Sequence, residues 1–503
     1  MKMNYRLSTL AYPLALLLMA GCASESTNQE QSSGAIRGVT FTSLEPTGMT
    51  RTSITGHTVN GGAKVLWSTG DKIWVKDDGG TFHESAAGVL NSAKTHGTFT
   101  LSGTYTQEHH DVTYTGGASA TQVTIASSQS QSAPNNTDHI AASGDCGTAT
   151  ADKSGSDYVF KLDHQSAYLC FVPRCENAEL GANIYLTKIV VTSNDNIAGT
   201  YTLSAAGLTL AGGGSRTITL TLPNFPLTNT TTNLATNASY MVIAPGQHTL
   251  TIDYYIKDPT TGVEGAVTKN ITLDFVAGSV TDLTAKIDVM KNYTNKFYTW
   301  DASTGQDYWA GHTSDQPKVN GGFDANFPSN PADSRWYNTT PYPVTASHTC
   351  AGSPSVNGIR WLVEQGDSHY DATTLWSMMG HLYNRGVWFK SPASYSDAVA
   401  PNGKDYRYNG EDANIGKAYD HIGRPADAVI ANYFYLPILG WYENGKLIDP
   451  GARTGYWTSS ARPETGQQYA YVLYLTNANY MDVSAPYWKR DFGLKPLNRS
   501  EIQ

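Results

Sequence analysis

The chain has 503 residues, of which 40% are apolar and only 15% are charged, and its formal net charge is −9. One hydrophobic core seldom serves more than about 250–300 residues, so this length predicts several domains, and the low charge disfavours a coiled coil or a disordered chain. The acidic balance excludes the basic surface that a nucleic-acid partner needs, whereas abundant glycine (47) and tyrosine (31) predict an exported, mainly β protein.

The first residues have the pattern of an export signal. A basic head with Lys2 and Arg6 precedes an apolar run from 10 to 19, which is too short to span a bilayer. The run Leu18-Met19-Ala20-Gly21-Cys22 resembles a bacterial lipobox. This resemblance implies that residues 1–21 are a lipoprotein signal peptide and that Cys22 carries a lipid anchor in the outer membrane. The alternative is an ordinary secretory signal with an incidental cysteine.

Short alternating runs separated by turn residues continue from about residue 36 to residue 290. The first set extends from Val39–Phe41 to Phe160–His164, and the second from Tyr168–Val172 to Ile271–Phe275. Strands spaced by about 8–12 residues predict antiparallel β-sandwiches, with a barrel as the alternative.

Four motifs occur in order behind the lipobox. They are Thr50-Arg51-Thr52, Trp67-x-x-Gly70-Asp71-x-Ile73-x-Val75, Phe160-x-Leu162-x-His164-x-x-Ala167-x-Leu169-x-Phe171 and Tyr240-Met241-Val242-Ile243-Ala244-Pro245-Gly246. Together they resemble the fimbrillin family, the subunits of donor-strand pili in Bacteroides-like bacteria. The resemblance implies two transthyretin-like antiparallel β-sandwich domains, at residues 52–164 and 165–292. A lipoprotein with two sandwiches and no pilus role is the alternative.

The same resemblance implies proteolytic processing after an arginine, at Arg51 or Arg37. A cut after Arg51 would release residues 22–51, a lipidated tether that contains the first predicted strand. Removing that strand would open an apolar groove with unpaired backbone groups, which a strand of another subunit would fill. We favour Arg51 because a cut after Arg37 leaves the strand in place.

Residues 293–503, called the tail here, have a different character, since they contain nine of the eleven tryptophans. Leu375, Met378, Met379 and Leu382 have helical spacing, which predicts a helix capped by Asp371 and ended by Gly386. Three further segments predict strands: 433–442 with a turn at 443–445, 455–460 and 470–475.

The end of the tail carries a second resemblance. Its residues are Leu436-Pro437 with Gly440, Tyr456-Trp457-Thr458-Ser459-Ser460, Ala470-Tyr471-x-Leu473, and Phe492-Gly493 with Arg499. They resemble the Fibrobacter-type major paralogous domain, which is related to C-type lectins and formylglycine-generating enzymes, and imply an α+β C-type-lectin-like domain at 293–503. The tail has a single cysteine and neither of the calcium-dependent sugar tripeptides of lectins (Glu-Pro-Asn, Trp-Asn-Asp), so the resemblance implies the scaffold without those chemistries.

Cysteines and polar loops give no sign of catalysis. Cys146, Cys170 and Cys175 leave three pairings open, Cys170 with Cys175 or Cys146 with either one, and Cys350 stands alone. Without a CxxC pair or an HExxH helix we predict no metal site, no cofactor and no enzyme. A polar stretch of the tail is interpreted as solvated side chains or a structural cation site: Asp405, Glu411, Asp412, Asp420, His421 and Asp427.

Aromatic residues are the clearest sign of binding. Tyr480, Tyr487 and Trp488 lie in a segment predicted to be a projecting loop, where they would stack on sugar rings, while the other tail tryptophans, Trp457 above all, are expected in a core. The chain is therefore predicted to be an adhesive pilus subunit that binds surface glycan or protein and joins other fimbrillins by donor-strand exchange. Because only 500–503 follow the second resemblance, we expect no donor strand there and a position at the fibre tip. The alternative is a surface lipoprotein that binds or hydrolyses glycans without polymerising.

Overall fold

The computed structural model describes residues 38–44, 53–61, 63–391, 397–463, 468–484 and 488–501. Strands account for 43% of the structure and helices for 7%, which confirms the prediction of a mainly β fold with sandwich-like sheets. Among the described residues, no helix combines the length and the apolar character that crossing a membrane requires. The predictions for Cys22, Arg37, Arg51 and Tyr487 fall outside the described residues.

Most strands of the first set belong to one sheet. They are β1 (Val39–Ser43), β2 (Ser53–Thr55), β3 (Lys64–Leu66), β4 (Trp74–Lys76), β5 (Phe82–Glu84), β6 (Val89–Leu90), β7 (Gly97–Leu101), β8 (His109–Tyr114), β9 (Gln122–Ile125), β10 (Ser128–Ser130), β11 (Gly147–Ser154), β12 (Asp157–Phe160) and β13 (Asp163–His164). The sheet has the order β5-β4-β8-β11-β12-β1-β7-β6, and β13 pairs with β11. Distant strands β4 and β7 contribute to one aromatic core through Val75 and Phe99, so the sheet curves around that core.

The first strand lies in the middle of this sheet. β1 pairs antiparallel with β7 and parallel with β12. Phe41 at its centre is fully buried, with its ring 4.8 Å from that of Tyr158 in a stacked arrangement and 5.1 Å from that of Tyr105. β1 therefore supplies both backbone partners and core side chains to its neighbours.

The second set forms several smaller sheets around a larger apolar core. Its strands are β14 (Ala167–Arg174), β15 (Tyr185–Ser193), β16 (Ala198–Ser204), β17 (Gly207–Ser215), β18 (Thr217–Pro226), β19 (Ser239–Ile243), β20 (Gly246–Asp258), β21 (Val263–Phe275) and β22 (Val280–Lys286), with the short helices α1 (Ala178–Gly181) and α2 (Leu234–Asn237). The sheet orders are β10-β18-β15-β20-β21, β19-β14-β22 and β17-β16-β9. β9 and β10 thus complete the sheets of the second set, although they precede β11 in the chain.

The tail combines one longer helix with short strands. Its elements are β23 (Lys291–Asn292), α3 (Val356–Gln365), β24 (His369–Asp371), β25 (Trp376–Met378), β26 (His381–Tyr383), β27 (Gly386–Lys390), β28 (Ile415–Lys417), β29 (His421–Ile422), β30 (Tyr433–Pro437), β31 (Trp441–Glu443), β32 (Lys446–Ile448), β33 (Arg453–Ala461), β34 (Ala470–Thr476), β35 (Met481–Ser484) and β36 (Lys495–Pro496). The largest sheet is β28-β35-β34-β33-β36, and the others are β29-β24-β27-β30, β23-β25-β26 and β31-β32. The predicted strands at 455–460 and 470–475 are confirmed, as is the turn between β31 and β32. The strand predicted at 433–442 is wrong in part, since it divides into β30 and β31, which belong to different sheets.

The helix predicted after Asp371 is wrong. Residues 376–383 form the hairpin β25–β26, because Met379 and Gly380 both adopt positive φ (53° and 77°), as a two-residue hairpin turn requires. The Asp371 carboxylate binds Thr373 and Thr374 instead of capping a helix. The helix of the tail is α3, whose N-cap Ser355 accepts a hydrogen bond from the backbone N–H of Asn357.

The hairpin fastens the tail to the second set. The Asp258 carboxylate, at the end of β20, accepts hydrogen bonds from His381 Nδ1 (2.9 Å) and from the backbone N–H of Leu382 (3.0 Å). The Thr261 hydroxyl donates a hydrogen bond to the Leu382 carbonyl (2.8 Å). Burial alone would raise the pKa of Asp258, but these hydrogen bonds outweigh it and lower the pKa below its ordinary value.

The cysteines of the described residues are unpaired. Cys146, Cys170, Cys175 and Cys350 are all free and buried, so none of the three open disulfide pairings forms. Cys170 lies within β14, whereas Cys175 follows the last residue of that strand. Burial raises the pKa of the Cys146 and Cys175 thiols to about 12.

Candidate functional site

A cleft in the tail contains the most convincing ligand site. Its volume is about 560 Å³, and we call it the aromatic cleft; its lining residues are Trp441, Glu443, Arg453, Tyr474, Asp482, Ser484, Trp488, Lys489 and Phe492. Strands β31, β33, β34 and β35 supply six of them, and the segment before β36 supplies the rest. The cleft therefore lies on the largest sheet of the tail.

Cross-strand register places the polar and aromatic side chains together. Tyr474 on β34 pairs with Gly455 on β33 and with Asp482 on β35, and directly paired residues share one face of a sheet. Their neighbours Leu473, Leu475 and Val483 are buried on the opposite face. Alternation along β34 and β35 thus directs these buried apolar side chains to one face of the sheet and leaves the other face to carry the cleft.

A glycine makes room for the central indole. A Cβ at Gly455 would lie only 3.3 Å from two ring atoms of Trp488 and 2.5 Å from Leu494, so the Trp488 ring packs directly over the backbone of β33. The Trp488 ring is 5.2 Å from that of Trp441, 5.5 Å from that of Tyr474 and 6.1 Å from that of Phe492. The indole is 7% exposed, which makes it the floor of the cleft rather than a projecting side chain.

Charged groups surround this aromatic floor. The Arg453 guanidinium lies 5.6 Å from the Trp441 ring and forms an ion pair with Asp449. Trp441 Nε1 donates a hydrogen bond to Glu443 at 3.4 Å. Burial raises the pKa of Asp482 to about 6, even though Tyr480 and Ser484 donate hydrogen bonds to its carboxylate. Its Oδ1 atom is buried and has no hydrogen-bond partner. Asp482 as a residue nevertheless lines the cleft and places a carboxylate beside its aromatic floor.

The predicted ligand-binding residues Trp488 and Tyr480 occupy different environments in the structure. Trp488 lines the cleft. Tyr480 precedes β35 and is 43% exposed. Partial burial raises the pKa of the Tyr480 hydroxyl, and the nearby Asp482 carboxylate raises it further. The projecting loop predicted for 480–489 is wrong in part, since residues 481–484 form β35. Trp457 is fully buried, as predicted.

Sequence reasoning missed most of the cleft. Trp441, Tyr474 and Arg453 come from three separate strands, and no local pattern connects them. The available signal was the alternation within β34, where Tyr474 falls between buried leucines and therefore points to the other face.

The polar side chains between residues 405 and 427 of the tail form separate ion pairs and not one cluster. Each member has its own basic or acidic partner: Arg407–Asp405, Lys404–Glu411, Arg462–Asp412, Lys417–Asp420, Arg424–Asp427 and His421–Asp367. This agrees with the interpretation of solvated side chains. His421, His369 and Asp367 do approach one another, with donor atoms within 4.8 Å, and form a partly exposed group that is able to hold a metal ion.

Comparisons with known proteins do not establish a family for this chain. No family model matches the chain. No curated protein matches it. Two solved structures described as "putative cell adhesion protein" are similar: one from Bacteroides ovatus (12% identity, TM-score 0.33) and one from Bacteroides uniformis (16%, 0.28), each covering 50% of this chain and 94% of its own. One of the "putative polysaccharide binding proteins" of Bacteroides thetaiotaomicron is also similar (9%, TM-score 0.24, 45% of this chain and 78% of that one). None of these TM-scores reaches 0.5, so the similarity does not assign the chain to a family.

Proposed function

We propose that this chain is an adhesive subunit of a bacterial surface pilus, and that its tail binds a glycan in the aromatic cleft. The observation that carries the binding role is the combination of ring faces from Trp441, Tyr474 and Trp488 with carboxylates of Asp482 and Glu443. Sugar rings have apolar faces that stack on aromatic side chains, and their hydroxyls donate to carboxylates. Binding of this kind needs no calcium ion.

A glycan array probed with the full chain, in calcium and in EDTA, tests this role. Tyr474→Ala should lower affinity about tenfold or more, because it removes the stacking surface of one ring. Phe323→Ala is the matched control, since Phe323 is a tail aromatic that is 62% exposed and lies outside the cleft lining. Binding that EDTA abolishes would contradict calcium independence. An array that stays blank in both buffers would contradict glycan recognition and leave a protein as the ligand.

The pilus role is supported by the position of β1. This strand contributes the buried Phe41 to the first core and pairs on both edges, so its removal would expose the Phe99 and Tyr158 rings and two unpaired strand edges. Such a groove is the receptor that a donated strand needs. We propose that a cut after Arg51 releases β1 together with the lipid on Cys22, and that a neighbouring subunit replaces it.

N-terminal sequencing of the protein taken from surface fibres tests the processing step. A new terminus at Thr52 agrees with the proposal, whereas material that still begins at acylated Cys22 would identify a lipoprotein that does not polymerise. We further propose that the subunit sits at the fibre tip. Immunogold labelling with antibody against the tail should then mark fibre ends only, and labelling along the shaft would contradict the tip position.

A further inference from the structure

Three side chains with nitrogen, sulfur and oxygen donors lie close together at the sheet β19-β14-β22. None of them lines the aromatic cleft. They are His57, from the segment after β2, Cys170 on β14 and Asp282 on β22. Their donor atoms all lie within 4.8 Å of one another. Neither the mainly β fold nor the proposed adhesive function requires this arrangement.

The register of the sheet brings these residues together. In the order β19-β14-β22, Cys170 pairs with Tyr240 on one side and with Asp282 on the other. Directly paired residues point to the same face, so the three side chains form a row across the sheet. His57 covers this row, with Nε2 lying 3.3 Å from Asp282 Oδ1 and Nδ1 lying 3.1 Å from the Tyr240 hydroxyl.

Further hydrogen bonds of Tyr240 and Asp282 determine which atoms of His57 and Asp282 face each other. The Tyr240 hydroxyl donates its proton to Asn135 Oδ1 (2.8 Å), so it accepts the proton of His57 Nδ1. In a neutral imidazole this leaves a lone pair on Nε2. The backbone N–H of Asn60 holds Asp282 Oδ2 (2.7 Å), which turns the other oxygen, Oδ1, toward His57. With a neutral imidazole, two acceptors therefore face each other at 3.3 Å.

Burial makes this pair of acceptors unfavourable without a cation between them. The side chain of His57 is 2% exposed, that of Asp282 is 4% exposed, and Cys170 is fully buried. His57 Nε2 and Asp282 Oδ1 have no hydrogen-bond partner, although buried polar atoms are satisfied in the great majority of cases. A metal ion that binds both atoms and the thiolate would satisfy them.

We propose that His57, Cys170 and Asp282 form a zinc site that fastens the segment after β2 to the sheet β19-β14-β22. Nitrogen, sulfur and oxygen are the donor types that Zn²⁺ takes in proteins, at about 2.0–2.3 Å. Two donors at about 2 Å in a tetrahedral site are about 3.3 Å apart, which matches the Nε2–Oδ1 distance. Calcium and magnesium prefer oxygen donors alone, so the thiolate disfavours them. The hydrogen bond from Nδ1 to Tyr240 orients the imidazole as second-shell partners of zinc ligands do.

Cobalt substitution tests the site in the full chain. Metal-free protein titrated with Co²⁺ should develop a thiolate-to-cobalt charge-transfer band in the near ultraviolet, and one equivalent of Zn²⁺ should remove it. Cys170→Ser should abolish this band, whereas the matched control Cys175→Ser should keep it, since Cys175 is also a buried free cysteine but lies outside the cluster. The surface group of Asp367, His369 and His421 contains no thiol and does not contribute to this band.

A second variant protects the test against misfolding. Asp282→Asn keeps the size of the side chain and an acceptor for Asn60, and it should weaken Co²⁺ binding at least tenfold. Circular dichroism of the metal-free variants should match that of the parent. Zn²⁺ should raise the melting temperature of the parent and of Cys175→Ser, but not that of Cys170→Ser. A parent chain without the charge-transfer band, or a Cys170→Ser variant that retains it, would overturn the proposal and leave a protonated His57 as the partner of Asp282.

Discussion

Replacing Asp482 by asparagine tests the electrostatics of the aromatic cleft. Asp482 is partly buried beside Tyr474 and Trp488, and one of its carboxylate oxygens has no hydrogen-bond partner. Burial raises the pKa of this carboxyl from 3.8 to about 6. The folded protein therefore binds the proton of Asp482 more tightly than the unfolded chain does, and it loses stability when the group ionises.

The sign and size of the effect follow from this pKa. Below about pH 4 the carboxyl is protonated in both states and contributes no difference. Between about pH 4 and pH 6 only the folded state keeps the proton, so stability falls as the pH rises through this window. A change from 3.8 to about 6 corresponds to about 3 kcal/mol. Because water still reaches part of the side chain, we expect about half of that value.

Asparagine cannot ionise, so Asp482→Asn should be more stable than the parent by about 1.5 kcal/mol at pH 7.5 and equally stable at pH 4. Urea denaturation followed by tryptophan fluorescence at several pH values measures this, because nine of the eleven tryptophans report on the tail. Asp427→Asn is the matched control, since the Asp427 side chain is 85% exposed. A variant whose stability follows the parent at every pH would refute the reasoning.

Three further substitutions probe the fold. Asp258→Ala leaves the buried His381 without its partner and should weaken docking of the tail by about 3–5 kcal/mol, seen as a separate melting transition in calorimetry. Because the pKa of Asp258 is lowered, its contribution is present above the ordinary value of 3.8 and is lost progressively as the pH falls below it; a difference between parent and variant that does not narrow as the pH falls would contradict this. Gly380→Ala should lower stability by about 1–2 kcal/mol, since φ is +77° and a Cβ would lie 3.0 Å from the Glu179 carbonyl; an unchanged melting temperature would show that the turn adapts. Phe41→Ala should cost about 3–5 kcal/mol in denaturant titrations, and a loss below about 1 kcal/mol would mean that β1 contributes little to its core.

The sequence alone was sufficient to predict strands wherever the local pattern of apolar residues determined the backbone structure. Short runs rich in β-branched and aromatic residues located β14, β33 and β34 within one or two residues, and Trp457 was correctly expected in a core. The same local reasoning failed at Leu375–Leu382, where helical spacing of apolar residues coincided with a two-residue turn. There the positive φ of Met379 and Gly380 decided for a hairpin.

Only the tertiary structure decided which distant residues meet. Tyr474 and Asp482 become neighbours through the register of β34 with β35, and Gly455 then leaves the space that Trp488 occupies. In the same way Cys170 meets Asp282, more than a hundred residues away, only because β14 pairs with β22. A side chain's face follows from a period of two along its own strand, whereas its cross-strand partner depends on register, which is set by the packing of the whole sheet.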